Sequence, residues 1–130
     1  MRYCEVMALD KMGFVGFGEA AYHFAKGLRG EGVAETYAYD IHAGHPVLGG
    51  KIQARAKETG TRLVGSSAEL AGAADVIISA VTADQAVIAG EQTGPHLGAR
   101  HLYADLNSIS PKAKERVADA ATANGAAFCE

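Results

Sequence analysis

The sequence predicts a doubly wound α/β fold, a mostly parallel sheet with helices on both faces, and three observations predict it. Short apolar runs alternate with helix-like segments, the pattern of βαβ units. The most apolar run, 75–81, carries Val76, Ile77 and Ile78 in a row, and a strand with so little alternation suits a sheet covered on both faces. A glycine turn, Gly16-Phe17-Gly18, joins the first strand to the first helix. The size agrees, since 130 residues with 48% hydrophobic side chains can build one domain with a real core.

Taken in order, residues 1–11 form an amino-terminal extension and 12–130 the domain. The extension carries Glu5 and Asp10 and lacks the apolar core of a signal peptide. The first strand runs over 12–17. A helix over 19–29 follows, with Ala20, Phe24 and Leu28 four positions apart on one face, and Gly30 and Gly32 break it. The second strand covers 35–40. A loop with Gly44, Pro46, Gly49 and Gly50 leads to a helix over 51–59 that is rich in exposed charge. The third strand is 61–64. Ser66 and Glu69 have capping-box spacing and open a short helix to Ala73. After the strand at 75–81, Thr82 and Gln85 repeat that spacing and open a helix toward Gly90. The fifth strand is 101–106. Ser110 and Pro111 put a hydroxyl cap and a proline at a helix start, and Ala113, Val117, Ala120 and Ala121 make its apolar stripe. Asn124-Gly125 ends that helix, and 126–130 reads as a sixth strand.

Composition narrows the function. The net charge is -3 and no run clusters Lys and Arg, which argues against a nucleic-acid-binding face. No apolar run reaches the roughly 20 residues that span a bilayer, so no membrane partner is expected. Cys4 and Cys129 stand at opposite ends of the chain and read as free thiols of a reducing, cytoplasmic compartment, with a pairing of the two in space as the alternative. No metal site is read from the sequence.

The turn points to a cofactor. Gly16-Phe17-Gly18-Glu19-Ala20-Ala21 is a G-x-G-x-x-A variant of the dinucleotide turn. Gly16 allows the sharp exit from the strand. Gly18 lets the backbone approach a pyrophosphate, and Ala21 keeps helix and strand close. The helix that follows offers free N–H groups and a partial positive charge to phosphate. Asp40 lies 22 positions after Gly18, at the end of the second strand, where a carboxylate can accept hydrogen bonds from ribose hydroxyls. These features define a Rossmann-like nucleotide site. Asp40 would repel a 2′-phosphate, and Ile41-His42-Ala43-Gly44 offers no arginine to hold one. NAD is therefore expected over NADP, although Ala21 in the third place and His42 or His45 when protonated pull toward NADP.

Three segments resemble the β-hydroxyacid dehydrogenases, the group that includes 6-phosphogluconate and 3-hydroxyisobutyrate dehydrogenases. The run from Gly13 to Ala21 is similar to their amino-terminal signature. Asp105-Leu106-Asn107-Ser108-Ile109-Ser110-Pro111 resembles their substrate-binding segment, and 75–82 resembles the strand and loop on the ribose side of the cofactor. The resemblance covers the chain from Met12 onward. It implies that Phe17, Gly18, Glu19 and Ala20 line the pyrophosphate through their backbone, that Asp40 and Ile41 hold the adenosine, and that Val81 and Thr82 border the nicotinamide half. It implies that Asn107 and Ser108 bind a small 3-hydroxy-acid substrate, with Asn107 replacing the usual serine.

The family's catalytic lysine sits in a helical domain that follows, and that domain also implies a homo-oligomer. Lys11, Lys26, Lys51, Lys57, Lys112 and Lys114 match no such position, and all fall on expected surface faces or before the first strand. The chain is thus expected to bind dinucleotide without appreciable turnover of its own. A dinucleotide-sensing module without an active site is the alternative, with Asn107-Ser108 as the feature that separates the two.

Overall fold

Six parallel strands make one sheet in the computed structural model, which describes residues 11–130. They are β1 (Lys11–Val15), β2 (Glu35–Tyr39), β3 (Arg62–Leu63), β4 (Val76–Ser79), β5 (Leu102–Asp105) and β6 (Ala127–Cys129). Their order is β3-β2-β1-β4-β5-β6, and every neighbouring pair is parallel. Winding runs outward from β1 to β3 and then, in the other direction, from β4 to β6. It reverses between β1 and β4, and open α/β sheets place their ligand crevice beyond the carboxyl ends of the strands at such a point.

Both faces of the sheet are covered, as the unalternating run at β4 requires, since all four of its residues are buried. On one face, Met12, Phe14, Val76 and Ile78 pack with Ala21 and Ala25 of α1 (Glu19–Gly30) and with Ile52 and Ala56 of α2 (Gly49–Thr59). On the other, Val15, Tyr37, Ile77 and Tyr103 meet Leu70 of α3 (Ser67–Ala73), Ala89 of α4 (Ala86–Thr93), and Val117 and Ala121 of α5 (Pro111–Thr122). Two helix starts are capped as expected. The Ser66 hydroxyl accepts the Glu69 N–H at 3.1 Å, and the Ser110 hydroxyl accepts the Ala113 N–H at 3.1 Å. Each such cap contributes about 1 kcal/mol.

Several local expectations are corrected. The first strand starts at Lys11, one residue before the expected boundary, and ends at Val15; Phe17 belongs to the turn. Residues 1–10, with Cys4, lie outside the described residues, while Cys129 is exposed and, among the described residues, free. Helix α1 buries Ala21 and Ala25, not the stripe through Ala20 and Phe24; Phe24 stays 45% exposed. Two stripes with the same spacing compete on this helix, and the small alanines win because they let it lie close to the sheet. Helix α2 starts at Gly49, two residues before the expected start. Thr82 makes no capping bond, and a 3-10 turn, Ala83–Gln85, precedes α4. The Thr82 hydroxyl faces the Asp84 carboxyl instead and, with Gln85, holds it below the usual carboxylate range. Gly90 does not end that helix. It lies inside α4, where a Cβ would come within 3.1 Å of Val117.

Tyr103 is the largest fully buried side chain. Its hydroxyl, like that of Thr93, is buried without a hydrogen-bond partner among the described residues. Burial pushes the phenol up to about 12; the nearby hydroxyls of Ser79 and Thr93 offset only part of that. The raised value makes the neutral form a source of stability that is complete below the ordinary value of 10.0 and lost as pH rises through about 12. Tyr103→Phe removes the unpartnered hydroxyl. Chemical denaturation at pH 7 should show it at least as stable as wild type, by about 0 to 1 kcal/mol, with a shallower alkaline loss of stability. A large loss at pH 7 would reveal a hydroxyl partner that this packing does not provide.

Candidate functional site

The crevice expected at the switch point is present. A cleft of about 360 Å³ opens beyond the carboxyl ends of β1, β2 and β4. The first turn contributes Gly16, Gly18, Glu19 and Ala20 to its wall. The end of β2 contributes Tyr39, Asp40, Ile41 and His42, and the segment after β4 contributes Ala80, Val81 and Thr82. The 3-10 turn before α4 supplies Gln85, and α4 itself supplies Ile88, Ala89 and Gln92.

The two glycines of the turn do different things. Gly16 has φ +86, and a Cβ there would stand 2.6 Å from the Ala80 carbonyl oxygen and 2.7 Å from Val81 Cγ1. The turn and the end of β4 interlock only because that atom is missing. Gly18 has an ordinary φ of -82 as the N-cap of α1, and a Cβ there would meet nothing within 4 Å. No side chain caps this helix, and its first intrahelical bond runs from the Tyr22 N–H to the Gly18 carbonyl. The N–H groups of Glu19, Ala20 and Ala21 therefore have no partner within the helix. They stand with the positive end of the helix dipole at the cleft. Glu19 is the one acidic side chain of that first turn; it is exposed and 3.9 Å from His23.

Asp40 joins the second strand to the turn. Its Oδ2 accepts the Phe17 N–H at 2.7 Å and its Oδ1 accepts the His42 N–H at 2.8 Å. The Gly16 N–H donates to the Tyr39 carbonyl at 2.9 Å. Each carboxylate oxygen keeps a lone pair for the cleft. The Phe17 ring is fully buried and meets Phe14 edge-on at 5.9 Å between centroids. The Phe17 N–H, expected to face a pyrophosphate, donates to Asp40 within the protein, and Phe17 is not among the residues that wall the cleft.

Asn107 and Ser108 also lie off the cleft wall. Asn107 is buried, and its side chain is engaged on every side. Its Oδ1 accepts the Val81 N–H at 2.9 Å, and its Nδ2 donates to Ser79 Oγ at 3.0 Å and to Asp105 Oδ1 at 2.5 Å. Ser108 is exposed. Lys114 is not the surface lysine it was expected to be. Its side chain is 17% exposed and its ammonium donates to Asp105 Oδ2 at 3.1 Å and to the Asn107 carbonyl at 2.9 Å. The sequence reading also missed the α4 wall. The signal was present, because 85, 88, 89 and 92 fall on one helical face.

The sequence from 11 to 130 matches the model of the NAD binding domain of 6-phosphogluconate dehydrogenase. No curated protein matches the chain. Among solved structures, a conserved hypothetical protein from Sinorhizobium meliloti 1021 is 34% identical with a TM-score of 0.84, over 93% of this chain and 40% of its own. The Mycobacterium tuberculosis 3-hydroxyisobutyrate dehydrogenase, solved with L-serine, is 20% identical with a TM-score of 0.76, over 93% of this chain and 39% of its own. The prephenate dehydrogenase from A. aeolicus, solved with hydroxyphenyl propionate and NAD+, is 18% identical with a TM-score of 0.72, over 89% of this chain and 40% of its own. The chain thus spans about 40% of the length of these structures. Neighbours of this fold hold NAD+ in one case and NADPH in another.

The glycines separate strain from open space, and denaturant unfolding distinguishes them. Gly16→Ala is expected to lower stability by about 2 kcal/mol or more, from its left-handed φ and its contact with β4. Gly18→Ala is expected to stay within about 0.5 kcal/mol of wild type. Equal losses at both positions would contradict an open mouth above Gly18.

Proposed function

The chain belongs to the family of NAD binding domains of 6-phosphogluconate dehydrogenase, and from that premise we propose that it holds NAD across the β1–β4 crevice for hydride transfer to or from a small 3-hydroxy acid. One observation carries the reading. An uncapped helix N-terminus with empty space above Gly18 stands beside a carboxylate that still has free lone pairs. Amides for a diphosphate and an acceptor for a neighbouring ribose are what a dinucleotide requires.

On this reading the N–H groups at the start of α1 face the diphosphate, and Asp40 accepts from the adenosine ribose with Ile41 against the adenine side. Val81 and Thr82 border the nicotinamide side, across β1 from Asp40. A bound nicotinamide supplies the hydride chemistry; the chain's part is to bind and orient it. No lysine or arginine lines the cleft among the described residues, so no permanent positive charge offsets a 2′-phosphate set against Asp40, and NAD is preferred to NADP. Asn107 and Ser108 mark the substrate side, Ser108 by its exposed hydroxyl and Asn107 by holding the loop. Turnover and homo-oligomer formation are assigned to regions of the longer relatives that this chain does not match, and the chain alone is expected to be inactive. Among the described residues no helix is long and apolar enough to cross a membrane, and the exposed thiol of Cys129 suits a reducing cytoplasm. A second reading, a dinucleotide-binding module without chemistry, draws on the inward engagement of the Asn107 amide.

Calorimetric titration tests the assignment. Wild-type chain should bind NAD at least about tenfold more tightly than NADP, and Asp40→Ala should weaken NAD about tenfold or more while narrowing that preference. Tighter binding of NADP, or an Asp40→Ala variant that binds NAD normally, contradicts it.

A further inference from the structure

Beneath the wall after β4 lies a buried polar chain that the cofactor turn does not use. Asp105, at the end of β5, is 1% exposed, and Ser79, its register partner on β4, is 0% exposed. The Asp105 carboxylate accepts the ammonium of Lys114 on one oxygen and the Asn107 N–H and Nδ2 on the other. The Lys114 ammonium also meets the carbonyls of Asp105 at 3.3 Å and Asn107 at 2.9 Å, so its three protons have three acceptors. Asn107 is thereby held by its N–H, its carbonyl and its side-chain amide together.

What Asn107 holds in turn is the cleft wall. The sheet ladder ends with the Ala80 N–H, which donates to the Val15 carbonyl. The next amide, that of Val81, lies past the ladder, and its partner is Asn107 Oδ1 at 2.9 Å. Val81 packs directly on the Gly16 turn. We propose that Asp105 and Lys114 are positioning residues for the nicotinamide half of the cleft, acting through Asn107 on Val81. The inference rests on the dinucleotide reading of that cleft. Buried ion pairs contribute little net stability compared with an apolar filling of the same volume, and this one fixes a loop whose position decides how the far half of the ligand fits.

The test compares NADH with ADP-ribose, which lacks the nicotinamide, by calorimetry on the full chain. The variants are Lys114→Met and the double variant Asp105→Asn with Lys114→Met. The double variant removes the buried unpaired charge that could prevent the single one from folding. NADH should bind about tenfold more weakly to the variants, while ADP-ribose stays within about twofold of wild type. Hydrogen exchange at the Val81 amide should speed up in the same variants without ligand. Equal weakening of both ligands would mean a merely structural pair and overturns the proposal, as does unchanged NADH binding. A wild-type chain that binds neither ligand overturns the dinucleotide reading itself, and that arm is read before any variant is compared.

Discussion

The site depends first on the hydrogen bond from the Phe17 N–H to the Asp40 carboxylate, 2.7 Å long between residues 23 apart in sequence. It joins the turn after β1 to the end of β2 and sets the carboxylate beside the first amides of α1. Neither partner is free to drift. The Phe17 ring is locked in the core on the α1–α2 face, and the second carboxylate oxygen is tied to the His42 N–H. A charge-assisted bond of this kind is about twice as strong as a neutral one. The carboxylate proposed to accept from a ribose and the amides proposed to face a diphosphate are therefore placed by the same contact.

Much of this was legible in the sequence. The alternation of apolar runs with helical segments showed six strands and their connections, and the strands themselves were found to within a few residues. Spacing also brought Gly16, Gly18 and Asp40 together, and all three stand at the cleft mouth; their part in holding a dinucleotide is a proposal. What stayed hidden depended on choices that spacing leaves open. Ala20-Phe24-Leu28 and Ala21-Ala25 are equally periodic, and only the closeness of α1 to the sheet selects the second. Thr82 and Gln85 have capping spacing, yet the hydroxyl faces Asp84. Lys114 reads as a solvated helix lysine until β5 brings Asp105 beneath it. The motif put Asn107 in the loop after β5 but could not show its amide turned inward.

The two sides of the cleft are built on different physics. On the β2 side, backbone amides and one carboxylate face the open mouth. On the β4 side, the wall is apolar at Val81 and is held from behind by a buried network of Ser79, Asp105, Asn107 and Lys114. Polar atoms buried so deeply are costly unless each is partnered, and the amide and ammonium protons named here are. An open binding side and a supported wall opposite it suit the proposed role of holding an extended dinucleotide in one orientation.

The most direct test is a titration of NAD into isotope-labelled chain, followed by the backbone amide resonances. A dinucleotide held as proposed moves the amides of Gly18 to Ala21 and of Asp40 to His42 together, with a second set at Val81 and Thr82. No change at those amides at saturating NAD, or shifts confined to the groove between α3 and the segment 95–101 on another side of the molecule, contradicts it.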